Sequence, residues 1–242
     1  FNTQYANMHG AVPTDCPHRE KLPYTGDGQV TIKSVVYSLD AYNAAKPNVP
    51  FGCINGGGVY DGVRGEYVWA CEISKSSLEL VRAVDELLPG VGIQLCGLYN
   101  TYFAKENDVM RRFREITGVE NLVCDYRKMS KPFSKILFGT RHEDEMQRLQ
   151  AVLYKHRLAN DFDFVRSERT LFEILPKGVN KGVALSKLSE YLNVEHKKTV
   201  AIGDYNNDVG MLRYAGVGIA VANASSAAIE AADYVTVSNE EH

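Results

Sequence analysis

One stretch constrains this chain more than any other: Lys198-Thr199-Val200-Ala201-Ile202, which stops at Gly203-Asp204. A short β-branched run ending this way predicts a buried parallel strand that gives way to a loop at its carboxyl edge. The next thirty residues repeat the pattern. Asn206 and Asn207 lead into a short helix over 208–214, with Val209, Met211 and Leu212 as its apolar residues. Residues 217–221 read as the next strand. Ser225 or Ser226 can cap an Ala-rich helix reaching 232, and 234–237 read as a further strand. Strand, helix, strand, helix, strand at this spacing means βαβ units and a parallel sheet, hence an α/β fold.

Upstream, residues 182–192 predict a helix. Leu185, Leu188 and Leu192 share one face, and Asn180 is available as a cap. Near the start, Asp27 can cap a helix reaching about residue 45, with Val35, Val36, Leu39 and Tyr42 as its buried stripe. Residues 49–54 read as a strand ending in Asn55-Gly56-Gly57-Gly58. The middle has a different character. It predicts strands over 67–73, 91–98 and 135–138 and a strand pair over 162–166 and 171–175. Its helices are a Ser74-capped one over 75–88, one over 108–117 ended by Gly118, and one over 142–158. This α+β block interrupts the parallel-sheet domain. Asn100-Thr101-Tyr102-Phe103 reads as a loop with an aromatic anchor, or else as a stretch facing an active site, and His142 and His156 read as solvent-facing residues of a charged helix.

Three segments carry chemistry. In Gly203-Asp204-Tyr205-Asn206-Asn207-Asp208, two carboxylates lie four residues apart at a strand tip, where open α/β sheets place their ligands. Hard oxygens clustered this way suit Mg2+, and an Asn/Asp-rich turn that only caps a helix has the same letters. In Pro176-Lys177-Gly178-Val179-Asn180-Lys181-Gly182, a lysine stands at the mouth of a helix, where cation and helix end together suit an anion. In Ile54-Asn55-Gly56-Gly57-Gly58, a Gly-rich turn lets backbone approach a ligand, or is simply tight.

Composition removes several alternatives. With 27 Lys and Arg against 30 Asp and Glu, a net charge of −3 and no basic run, nucleic acid is not expected as a partner. No apolar stretch is long enough to span a bilayer, and Phe1-Asn2-Thr3-Gln4-Tyr5 does not start a signal peptide, so no membrane association is expected. The five cysteines are odd in number and widely spaced. They read as small buried thiols in a reducing cytoplasm, not as zinc ligands.

Taken in order, these segments resemble the Cof-type phosphatases of the haloacid dehalogenase (HAD) superfamily. The resemblance rests on the Asn55-Gly56 turn with Val59-Tyr60-Asp61 and on Glu173-Ile174-Leu175-Pro176 leading to Lys181-Gly182. It rests also on Gly203-Asp204 through Asn207-Asp208 to Met211-Leu212, and on the tail through Ala222-Asn223-Ala224 to Asp233-Tyr234-Val235. It covers about residues 50–240. It implies a Rossmann-like parallel-sheet core over 1–61 and 173–242, with an inserted α+β C2-type cap over 62–172 that selects substrate. It implies a Mg2+-dependent phosphoric monoester hydrolase of the cytoplasm, acting as monomer or homodimer on a small phosphorylated metabolite such as a sugar phosphate. Asp204 would be a metal ligand, and Asp208 a second ligand or a group that orients the site. Lys181 would neutralise the transferring phosphoryl group, Asn207 would bond near the phosphate, and Asn55 would shape the pocket floor.

The sequence departs from the family at one point. The family's first motif, Asp-x-Asp-Gly-Thr, supplies a nucleophilic aspartate and a general acid and base. It has no counterpart here, since Asp15 in Thr14-Asp15-Cys16-Pro17-His18 follows no apolar strand. The first strand and its nucleophile are expected upstream of Phe1, and a further helix beyond Glu241. Thr25-Gly26-Asp27 stands where the family has Thr-Gly-Arg, which makes Thr25 the candidate phosphate-binding hydroxyl. The rival reading from another class is a HAD-like module without its nucleophile that binds a phosphometabolite or a protein. A phosphomutase on the same scaffold is a third.

Overall fold

The computed structural model describes residues 49–240. The helix expected behind Asp27, and Thr25 itself, lie outside them.

The first element is a three-stranded antiparallel meander of β1 (Phe51–Cys53), β2 (Gly58–Asp61) and β3 (Glu66–Ala70). By sequence pattern, 49–54 is a strand of the parallel domain and 55–58 a turn. Among the described residues β1 pairs antiparallel with β2. The cause is the tight turn Ile54–Gly56, which reverses the chain within three residues and lets Val59 and Tyr60 bury completely.

The second element is a six-stranded sheet in the order β6-β5-β4-β7-β9-β8. Its strands are β4 (Gly92–Cys96), β5 (Thr101–Lys105), β6 (Leu122–Val123), β7 (Lys135–Gly139), β8 (Phe162–Arg166) and β9 (Leu171–Pro176). Residues 101–103 are therefore strand, not loop. Thr101 and Phe103 alternate inward, and that period of two is the strand signal. Helices α1 (Ser77–Leu87) and α3 (Glu143–Lys155) cover one face. There Leu80, Val84, Met146 and Leu149 pack on Ile93, Leu95, Ile136, Phe138, Phe172 and Ile174. Helix α2 (Asp108–Thr117) covers part of the other through Met110, against Leu137 and Leu171. Helix ends follow local chemistry. Asn107 accepts from the Met110 N–H at 2.9 Å and Gly118 closes α2 at φ +66°. Ser74 accepts from the Ser76 N–H at 3.3 Å, forming a turn ahead of α1 instead of capping it. His142, expected simply to face solvent, caps α3 by accepting from the Glu145 N–H at 3.3 Å.

The third element is the expected βαβαβ arrangement. Strands β10 (Val200–Gly203), β11 (Val217–Ala220) and β12 (Tyr234–Val235) are parallel, in that order. Helices α4 (Lys181–Leu192), α5 (Val209–Tyr214) and α6 (Ser226–Ala231) pack against one face through Leu185, Leu212 and Ala228 on Ala201. The pattern of β10 predicts burial on both faces. Val200 and Ile202 are each 61% exposed, because among the described residues helices lie on one side only. Asn180 and Ser225 cap α4 and α6, as their positions predict.

Candidate functional site

Three chain turns converge at the carboxyl end of β10. The first is the loop after Gly203. A Cβ at that position would lie 2.6 Å from the Asp208 Cβ, so only glycine lets the loop fold back on itself. The fold-back brings the Asp208 carboxylate under the chain, where its Oδ2 accepts the N–H groups of Asp204 at 3.0 Å and Tyr205 at 3.1 Å.

The second turn is the start of α4. Asn180 accepts from the N–H groups of Gly182 at 2.9 Å and Val183 at 3.3 Å, which fixes where Lys181 leaves the helix. A cation at a helix N-terminus opposes the dipole and needs an anion nearby. Lys181 has one: its Nζ lies 2.5 Å from the Asp208 Oδ1, with side chains 23% and 4% exposed.

The third is the Ile54–Gly56 turn, where Ile54 and Asn55 take φ of +55° and +52°. Left-handed backbone at a β-branched residue is strained, and such strain persists only where the surroundings enforce it. Here it aims the Asn55 Oδ1 at the Asn207 Nδ2, 3.1 Å away. Gly56 has φ +101°, and a Cβ there would sit 2.0 Å from the Asn180 carbonyl oxygen, which is itself held by the Val183 N–H at 2.9 Å. Gly56→Ala is therefore expected to destabilise the protein by about 3 kcal/mol and to part Asn55 from Asn207. Urea unfolding measures the first effect, and the amide resonances of the two asparagine side chains report the second.

The two carboxylates are driven in opposite directions. Burial and the adjacent Asp208 charge raise the Asp204 pKa, against the pull of Lys181. Burial also pushes Asp208 upward, but the Lys181 charge and hydrogen bond, with the two backbone N–H groups, outweigh it and leave the pKa lowered. Asp208 has both oxygens committed within the chain. Asp204 accepts a long bond from the Asn239 Nδ2, at 3.4 Å. Hard oxygens and a carboxylate short of cationic partners suit Mg2+ bound through Asp204, whereas Asp208 is already held by Lys181. Among the described residues no group of three or more His, Cys, Asp or Glu gathers to hold a metal, so further ligands would come from substrate, water or elsewhere.

The structure thus brings together Asn55, Lys181, Asp204, Asn207 and Asp208. Asn239 joins them through a contact across 35 residues, which no local pattern signals. The described cysteines are free, and burial pushes the thiols of Cys53 and Cys96 up to about 12, which makes them inert at neutral pH. Among the described residues no helix is long and apolar enough to cross a membrane.

Residues 30–242 match the family model of haloacid dehalogenase-like hydrolases. Residues 1–47 match a second model, the bacterial alpha-L-rhamnosidase 6 hairpin glycosidase domain, and Thr25 falls within that stretch. YxeH of Bacillus subtilis, a putative phosphatase, is 41% identical over 81 residues, 34% of this chain and 30% of that protein. YbjI of Escherichia coli, a 5-amino-6-(5-phospho-D-ribitylamino)uracil phosphatase, is 30% identical over 196 residues, 79% of this chain and 70% of its own. Across the first four curated relatives the match spans 26% to 41% of their length. The HAD subclass IIB sugar phosphatase BT4131 superposes with a TM-score of 0.72 at 19% identity, over 87% of this chain and 78% of that one, so the α/β fold is that of subclass IIB. With a family model spanning most of its length and a relative matched over more than two thirds of both proteins, this chain belongs to the haloacid dehalogenase-like hydrolases.

Proposed function

We propose that this chain forms the metal- and phosphate-binding part of a phosphatase that hydrolyses small phosphorylated metabolites. The observation that carries the reading is the Lys181 ammonium, 2.5 Å from Asp208, at the strand tip where Asp204 is short of a cation. Phosphoryl transfer depends mainly on positioning and charge neutralisation. Lys181 supplies positive charge toward the phosphoryl oxygens. Asp208 holds that ammonium in place and ties the loop down through the Asp204 and Tyr205 N–H groups. The Asn207 amide, oriented by Asn55, donates beside the phosphate. Asp204 is the direct ligand for Mg2+, which when bound neutralises charge on the phosphoryl group. The six-stranded sheet with α1 to α3 serves as the substrate-selecting cap, and the meander and parallel sheet serve as the core.

The aspartyl-phosphate route needs a nucleophilic carboxylate, and among the described residues no third one joins Asp204 and Asp208. The second reading is a binding module without turnover. One experiment separates them. The full-length protein is expected to release phosphate from para-nitrophenyl phosphate only when Mg2+ is present, and to unfold at higher temperature with Mg2+ and orthophosphate together than with either alone. Joint stabilisation without release would select the binding module. Release that ignores Mg2+, or an unfolding temperature that ignores both, would refute the phosphatase reading.

A further inference from the structure

The ladder between β11 and β12 runs on past the ends of both strands. The Thr236 N–H donates to the Ala220 carbonyl at 2.9 Å, and the Ala222 N–H to the Val237 carbonyl at 3.3 Å. This carries residues 222–225 and 237–239 past the strand ends to the Asp204 loop. There the Ser225 N–H donates to the Asp204 carbonyl at 2.9 Å. Two asparagines also meet there. The Asn239 N–H donates to the Asn223 Oδ1 at 3.3 Å, and the Asn223 Nδ2 donates to the Asn239 Oδ1 at 2.7 Å. The Asn239 Nδ2 in turn donates to the Asp204 Oδ2 at 3.4 Å.

Chemistry fixes the direction of these bonds. A main-chain N–H can only donate, so it faces the oxygen of the Asn223 amide and not the nitrogen. The Asn223 nitrogen then points to Asn239, which must present its own oxygen. That leaves the Asn239 nitrogen for Asp204, whose ionised carboxylate can only accept. Reversing the Asn239 amide would set donor against donor at Asn223 and acceptor against acceptor at Asp204. The network therefore has one arrangement, and it ends on one oxygen of the Asp204 carboxylate. Folding does not require it: Asn223 is exposed and Asn239 half-buried, so water can serve both amides.

A fixed donor on one oxygen matters for a carboxylate that takes a cation. Ca2+ accepts carboxylates through one oxygen or two and tolerates irregular geometry, whereas the smaller Mg2+ demands a near-octahedral shell and keeps several waters. To offer both oxygens to one ion, a carboxylate must turn its open edge toward it. A donor held on Oδ2 opposes that turn.

We propose that Asn239, aimed by Asn223, is a positioning residue of the cation site: it engages the Asp204 Oδ2, leaves a cation the other oxygen, and so favours Mg2+ over Ca2+. The proposal rests on the metal-binding reading of Asp204. It assigns the choice between the two ions to a pair of asparagines on the turns after β11 and β12, and not to the carboxylate alone.

Isothermal titration of the full-length protein with MgCl2 and with CaCl2, without substrate, tests it. The readout is the ratio of the two dissociation constants. Asn239→Leu removes the amide and is expected to move that ratio about fivefold toward Ca2+, the worth of roughly one hydrogen bond. Asn223→Asp keeps the shape and the acceptor for the Asn239 N–H. It sets a second acceptor against the Asn239 Oδ1, so the amide turns over and its donor leaves Asp204. The ratio should move the same way, since the added charge attracts both divalent ions alike and cancels. In EDTA neither substitution should change the unfolding temperature appreciably. A ratio unchanged in both variants overturns the proposal, as does a wild-type protein that takes Ca2+ as tightly as Mg2+. An equal loss of both ions also overturns it, since that marks general support of the loop. Wild-type protein that binds neither ion, or binding that survives Asp204→Asn, is a different result: it removes the metal-binding reading of Asp204 and the positioning role with it.

Discussion

Lys181→Met is expected to destabilise the metal-free protein by about 3 kcal/mol at neutral pH. The methionine keeps most of the apolar stem, so packing is nearly preserved and the loss is electrostatic. Asp208 is almost fully buried, and removing one partner of a buried pair strands the other charge in low dielectric. The pH dependence carries the sign. In the wild-type protein the Asp208 pKa is lowered, so its contribution is present above the unfolded carboxylate pKa and is lost as pH falls through the folded value. Without Lys181, burial is opposed only by the Asp204 and Tyr205 N–H groups, and the folded pKa rises. The deficit of the variant should therefore shrink as pH falls from 7 toward 4, where protonation relieves the stranded charge. Urea unfolding at several pH values measures this. A deficit equal at every pH would show that the lysine acts through packing instead. Adding Asp208→Asn to Lys181→Met should recover much of the loss, because the unpaired charge is gone.

How much of the fold is legible in the sequence depends on how far each signal travels along the chain. The Asp204 loop, the Asn180 cap and the βαβαβ order are written in contiguous residues, and the structure forms all of them. Pairing partners are not local. Residues 51–53 have the composition of any buried strand, and only the reversal at Ile54–Gly56 decides that they pair with β2. Residues 101–103 alternate in burial, yet neighbouring Asn100 suggests a loop when pattern is read over too short a window. Within the site, spacing presents Asp204 and Asp208 as a pair of equals. The fold makes them unequal: Gly203 lets the loop close so that Asp208 spends both oxygens on Lys181 and two N–H groups, and Asp204 keeps its own. Asn239 reaches Asp204 from a distant loop, and Thr25 lies outside the described residues.

That inequality gives Asp204→Asn an effect whose sign depends on Mg2+. In the metal-free protein the Asp204 pKa is raised by burial and by Asp208, so the native state holds this proton more tightly than the unfolded state. As pH rises from the unfolded carboxylate value through the folded one, the group takes stability away, and the deficit is complete above the folded value. Asparagine carries no charge to desolvate and none to repel Asp208. Without metal the variant should therefore be the more stable protein at neutral pH, with the difference vanishing below the unfolded carboxylate pKa. Saturating Mg2+ reverses the order. A ligand at a hundred times its dissociation constant stabilises the native state by about 2.7 kcal/mol, and a variant lacking the carboxylate forgoes that gain. Thermal unfolding of both proteins with EDTA and with Mg2+ should show the two stabilities crossing. A variant that gains as much from Mg2+ as the wild type would remove Asp204 from the metal site. A variant less stable in EDTA would show that Asp204 serves the fold. A crossing means that this position is tuned to bind a cation at the expense of folding, as expected of a residue kept for chemistry.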